Sequence, residues 1–258
     1  MMDYVNTPAV QSAPDITSMP RGGPRASCLD RLLETDRQEY LDREDADERV
    51  KRSVIRALQW SGETFGHQNR FAEIALAEIA DVADPTILEL GAGHGGLSRT
   101  LLDWHPTAQL TITDIASASV AAIAATDLGT HPRATVRQMD ATALDAADGE
   151  FDLAVFVLSL HHLPPAAAAR VIAEGTRAAD KLLIIDLPRP PAPLHLLRLA
   201  TMLPWAPLVP FVHDGVISSL RAYSPSALRA LAAAAGPDID IDLRGGMFSP
   251  QVAVATRR

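Results

Sequence analysis

Ile87-Leu88-Glu89-Leu90-Gly91-Ala92-Gly93-His94-Gly95-Gly96-Leu97 is the stretch on which the fold turns. A short, mostly apolar run meets four glycines within six positions, and an amphipathic segment follows at 97–104. The order is strand, tight turn, helix. Glycine accepts backbone angles that a Cβ forbids and lets another molecule approach the main chain. Outward from this point, apolar runs at 109–113, 135–139, 151–158 and 181–187 alternate with helical stretches at 117–128, 142–147 and 165–179. With the strand at 86–90, these are five strands separated by helices, the pattern of a parallel sheet covered on both faces. The run 151–160 is almost wholly apolar, as expected of a central strand. Ser224-Pro225 and Gly236-Pro237 bracket a helix over 226–235, with an N-cap, a proline at the first helical position and a closing glycine. Two last strands are expected at 239–243 and 251–256.

The chain has 258 residues, 47% of them hydrophobic and 21% charged, enough to bury a core of one ordinary domain with an appendage. A net charge of −9 argues against a nucleic-acid binder, which needs a basic face toward phosphates. The single cysteine, Cys28, excludes an intrachain disulfide and a Cys-rich metal site. Residues 1–27 are rich in Pro, Ser, Thr and Gly and lack the apolar run of a signal peptide; a disordered tail and a cytoplasmic location are expected. Residues 29–60 have the rhythm of one or two amphipathic helices, followed by a break at Ser61-Gly62 and a helix over 71–82. The division is therefore a tail (1–27), an N-terminal helical cap (28–84) and a core (85–258). Residues 194–212 are mostly apolar, but His195, Arg198, Pro204, Pro207 and Pro210 argue against stable membrane insertion. A broken lid or packing helix is expected there, within an insertion around 190–222.

Two ligand readings compete for the glycine turn. Gly91, Gly93 and Gly96 satisfy the dinucleotide fingerprint G-x-G-x-x-G. Glu89, Gly91, Gly93 and Gly95 satisfy E-x-G-x-G-x-G, and residues 86–187 resemble the cofactor-binding core of class I S-adenosylmethionine-dependent methyltransferases. Charge separates the two. A pyrophosphate favours positive potential at such a turn, and Glu89 opposes it; S-adenosylmethionine carries a sulfonium and an ammonium and no phosphate. Thr111-Ile112-Thr113-Asp114 resembles the family's second motif. Asp114 stands 21 residues after Gly93, the spacing at which a carboxylate reaches the ribose hydroxyls. Gln138-Met139-Asp140-Ala141 resembles the third motif, whose acid contacts the adenine amino group, although Asp140 also reads as a helix N-cap. Residues 151–163 resemble the fourth-strand motif, whose end borders the transferred methyl. The resemblance implies a Rossmann-like, seven-stranded α/β sandwich with a helical cap and a lid after strand five. S-adenosyl-L-methionine would be held by Glu89, Gly91, Ala92, Gly93, Asp114, Ile115, Asp140, Ala141 and Leu158.

The small-molecule branch, similar to ubiquinone/menaquinone-type enzymes, supplies expectations for the acceptor. A hydroxyl acceptor benefits from a general base, for which His161, His162 and His213 are the candidates. By resemblance, His161 stands where cyclopropane-fatty-acid synthases and ubiquinone-type O-methyltransferases carry a glutamate. The latter bind a divalent metal through two acids and a histidine. Here Leu158 and His161 replace the acids, so no metal is expected; were one bound, its ligands would be His161, His162 and a carboxylate not identifiable in the sequence. His67, Arg70, Arg221 and Tyr223 are candidate acceptor contacts. The Asp/Asn-Pro-Pro-Tyr pattern of base-methylating enzymes is missing. The apolar stretch 203–212 suits an acceptor with an apolar body, or packing on the fold or a second copy, so a homodimer is possible. The expected activity is methyl transfer to a hydroxyl of a lipid-like, quinone-like or sugar molecule. Ring C-methylation, a nicotinamide oxidoreductase and a non-catalytic cofactor-binding domain are the alternatives.

Overall fold

The computed structural model describes residues 16–43, 45–245 and 249–258. Seven strands form one sheet: β1 (Thr86–Leu90), β2 (Gln109–Asp114), β3 (Ala134–Gln138), β4 (Phe151–Val157), β5 (Ala179–Asp186), β6 (Ile239–Arg244) and β7 (Gln251–Arg257), in the order β3-β2-β1-β4-β5-β7-β6. All pairs from β3 to β5 are parallel, and β7 runs antiparallel to both β5 and β6. The order reverses between β1 and β4, which leaves a crevice beyond the carboxyl ends of these two strands. All five strands of the parallel set match the expected positions within two residues at either end.

The alternation of side chains along each strand sorts the core into two layers. Leu88, Leu90, Phe156, Leu182 and Ile184 face α6 (Pro165–Ala178) and α9 (Pro225–Ala235). Ile87, Ile112, Val155, Leu183 and Ile185 face α3 (His67–Glu78), α4 (Gly96–Trp104) and α5 (Ser117–Ala124). Burying one such Leu or Ile is worth about 1.5–3 kcal/mol. A smaller cluster joins Leu29 and Leu33, in and just after α1 (Cys28–Leu32), to Leu199 of α7 (Ala192–Met202) and Val216 of α8 (Pro210–Arg221). The insertion after β5 is thus two helices joined by an exposed turn at 203–209, broken where the prolines stand. Among the described residues no helix is long and apolar enough to cross a membrane.

Four local expectations are corrected. α2 (Glu48–Phe65) runs straight through Ser61-Gly62 and ends at Gly66, whose φ of 62° supplies the left-handed cap. Residues 142–147 form turns rather than a helix, so Asp140 caps a turn: its Oδ1 accepts from Thr142 N and Oγ1 at 2.8 Å. The helix expected over 117–128 stops at Ala124 and resumes as a 3₁₀ turn, Asp127–Thr130. The disordered tail is overturned for residues 16–27. Met19 is buried against the α6/α9 layer, and buried Arg21 lies 4.3 Å from the Tyr223 ring centroid. Residues 1–15 lie outside those described.

Candidate functional site

The glycine turn folds as its composition requires. Gly91 and Gly93 have φ of 62° and 59°, and a Cβ at Gly93 would meet nothing within 4 Å, so this turn faces open space. Ala92 N donates to Thr113 O at 2.9 Å, tying the turn to β2. Asp114, at the tip of β2, accepts from Gly93 N at 2.9 Å and from Ala116 N at 2.8 Å through different oxygens. Each carboxylate oxygen keeps a further lone pair for a ligand hydroxyl. Ile115 is exposed beside it, and its carbonyl accepts from Gln138 Nε2 at 2.8 Å. Asp140 is exposed at the end of the neighbouring strand β3.

Glu89 stands differently from its expected place at the mouth. It is buried beneath the turn, on the face covered by α4, and accepts a short hydrogen bond from Ser98 Oγ. Burial pushes its carboxyl up to about 7, Asp114 adds to the rise, and Ser98 opposes it. Asp114 and Asp140, not Glu89, are the acids that the opening presents.

The carboxyl end of β4 forms the other wall. Leu158 takes a left-handed φ of 50°, rare for a non-glycine residue, and is exposed. A 3₁₀ turn, Leu160–His162, follows. His161 is buried, with Nδ1 2.7 Å from Asp186 Oδ1, its backbone N–H donating to Asp186 Oδ2 at 2.9 Å, and Nε2 3.5 Å from Glu39 Oε1. Burial opposes its charge, but Asp186 and Glu39 outweigh burial and push it up to about 9. The general-base role expected of His161 meets a ring that is buried with both nitrogens beside carboxylates. His162 Nδ1 lies 2.8 Å from Asp42 Oδ2, and the two imidazole centroids are 4.2 Å apart. His213 Nδ1 is 3.0 Å from Asp214 Oδ1, and its ring lies 4.4 Å from Tyr40, next in chain to Glu39.

Two acceptor contacts are corrected as well. Arg221 is buried and donates to Asp42 Oδ2 at 3.3 Å and to the His162 carbonyl. Tyr223 is buried, and its hydroxyl donates to Leu163 O at 2.8 Å; burial pushes this phenol well above its usual range. Both are buried and brace the β4 end from inside. His67 is exposed between Phe65 and Phe71, with centroids 5.8 and 6.2 Å away. Its neighbour Gln68 reaches Gly96, so the start of α3 does flank the turn. Arg70 lines a separate cleft with Glu78, Arg244 and Pro250. Glu39, Asp42 and Asp186 were missed. Asp186 ends the apolar run 182–185 and was open to notice; Glu39 and Asp42 lie in a charged loop without pattern.

The sheet order, the turn and Asp114 at the switch point define a Rossmann-like fold of the class I S-adenosylmethionine-dependent methyltransferases. Residues 87–181 match the family model of the methyltransferase domain. No curated protein matches the chain. Its fold is similar to the plantazolicin methyltransferase BpumL, solved with a pentazolic desmethylPZN analog and SAH: 11% identity, TM-score 0.65, covering 89% of this chain and 97% of that one. It is similar to the magnesium protoporphyrin IX methyltransferase ChlM from Synechocystis PCC 6803 with bound SAH: 19% identity, TM-score 0.53, covering 85% and 91%. The [4+2]-cyclase SpnF is also similar, at 20% identity and TM-score 0.50 over 68% and 58%. Residues 87–181 thus match a methyltransferase domain, set in a fold that this chain shares with methyltransferases solved with SAH.

Proposed function

We propose that this chain moves the methyl group of S-adenosylmethionine to a hydroxyl oxygen of a small, partly apolar molecule, lipid-like, quinone-like or glycosidic, in the cytoplasm. The observation that carries the reading is the pairing of Asp114 with Gly93 N across an open glycine turn, one strand away from the exposed end of β4. In this reading Asp114 accepts the ribose hydroxyls and Asp140 the adenine amino group, while Ile115 and Leu158 supply apolar walls. The acceptor's oxygen lone pair forms the new O–C bond as the C–S bond breaks, and S-adenosylhomocysteine leaves. The acceptor proton departs to solvent or to a base. Alignment is the main contribution: reacting atoms held near 3 Å reach effective molarities of about 10⁵ M or more.

The similarity to a cyclase is a reminder that fold alone does not specify the reaction. The test is therefore turnover. The pure chain is incubated with S-adenosylmethionine and a panel of hydroxylated lipids, quinols, phenols and sugars, and S-adenosylhomocysteine release is followed with the mass of the product. A product heavier by one methyl on oxygen supports the reading. Methylation only at ring carbon, or cofactor binding with no turnover on any acceptor, overturns it.

A further inference from the structure

We propose that Glu39, His161 and His162 form a binding site for one divalent transition-metal ion of the zinc, cobalt or iron type. One ligand atom from each residue lies within 4.8 Å of the others. The Glu39 Oε1 to His161 Nε2 distance is 3.5 Å, and two donors bound about 2.1 Å from a tetrahedral ion stand about 3.4 Å apart. His162, 30% exposed and held by Asp42, would complete the set by bringing its ring closer to the other two.

The surroundings of the two histidines strengthen the case. A metal-binding imidazole characteristically gives its second ring N–H to a carboxylate, which fixes the tautomer and aims the other nitrogen at the ion. Both histidines have that partner: Asp186 at 2.7 Å from His161 Nδ1, and Asp42 at 2.8 Å from His162 Nδ1. Each Nε2 is thereby the ring nitrogen that no aspartate holds, and on His161 the ion would displace the proton from it. A site of two imidazoles and one carboxylate suits zinc, cobalt or iron, not magnesium or calcium, which prefer oxygen ligands. Glu39, Asp42 and Asp186 bring three carboxylates to one place, so a dication is electrostatically favoured. Asp42 (side chain 32% exposed) and His162 leave a way in for the ion, and three protein ligands leave coordination positions for water or an acceptor oxygen. There the ion would act as a Lewis acid, the activation that clamped His161 does not offer. That role rests on the methyl-transfer reading; the site itself does not.

The experiment uses the full chain, stripped with EDTA and dialysed. Zn²⁺ is titrated by calorimetry, and Co²⁺ by its visible d–d absorption. One ion per chain is expected. Asp42→Asn is expected to weaken binding 10–100-fold, and His162→Ala by more, with the Co²⁺ bands changed in shape. S-adenosylhomocysteine affinity should stay the same in each variant. Glu39→Gln should also lose the ion, but because Glu39 is buried, the half-exposed Asp42 and His162 decide. No stoichiometric ion in the parent chain, or equal affinity after His162→Ala, overturns the site. Failure of the parent chain to bind S-adenosylhomocysteine would count against the methyltransferase reading and leave the metal titration intact.

Discussion

Asp114 carries the heaviest duty of any single side chain. Its two oxygens hold the backbone at Gly93 and Ala116, so the carboxylate proposed to take the ribose is fixed at the turn. Asp114→Ala is expected to weaken S-adenosylhomocysteine binding by about 1–3 kcal/mol, because buried hydroxyls lose their acceptor; calorimetry reads this directly, and an unchanged Kd contradicts the assignment. Glu89 makes a different prediction. Its folded-state value of about 7 lies above its ordinary 4.5. Between these two values the folded chain holds a proton that the unfolded chain has released, so this group's contribution falls as pH rises from about 4.5 to 7 and is level above that. In urea unfolding over pH 4–8, Glu89→Gln should remove that decline; parallel curves for parent and variant contradict it.

At the scale of elements, the segment before α1 acts as a strap rather than a tail. Arg21 Nη1 donates to His161 O at 3.2 Å, Ser224 N donates to Arg21 O at 2.9 Å, and Ser224 Oγ donates to Gly22 O at 2.8 Å. These bonds connect the N-terminal segment to the β4 end and to the cap of α9. Arg21→Ala should cost about 1–3 kcal/mol, since buried acceptors lose a charged donor. Met19→Ala should cost about 2 kcal/mol through lost burial. Both are read as shifts in the urea midpoint; no change in either would mean that the strap is detached in solution. The strands were legible because period-two and continuous apolar runs depend on near neighbours. The break at Ser61-Gly62 was misread because a single glycine costs only about 1 kcal/mol within a helix, which the contacts of α2 with α8 and α3 overcome.

For the molecule as a whole, the cofactor crevice is a consequence of sheet order, so ligand binding should stabilise the entire unit. At 100 times its Kd, S-adenosylhomocysteine should add about 2.7 kcal/mol and raise the melting temperature by several degrees. NADH at the same concentration should leave it unchanged. Stabilisation by NADH alone would restore the dinucleotide reading of Gly91, Gly93 and Gly96. The cap and the insertion meet in the cluster of Leu29, Leu33, Leu199 and Val216, which brings the loop carrying Glu39 and Asp42 over the end of β4.

The linear chain by itself determined the glycine turn, the five parallel strands and Asp114 at its spacing, because each depends on residues within some thirty positions of one another. Only tertiary structure decided the fate of the histidines. Glu39 is 122 residues before His161, and Asp186 is 25 after it. No local pattern states that two carboxylates will close on one imidazole. Tertiary packing sets His161 between Glu39 and Asp186, just as burial under α4 takes Glu89 off the surface and pushes its carboxyl up to about 7.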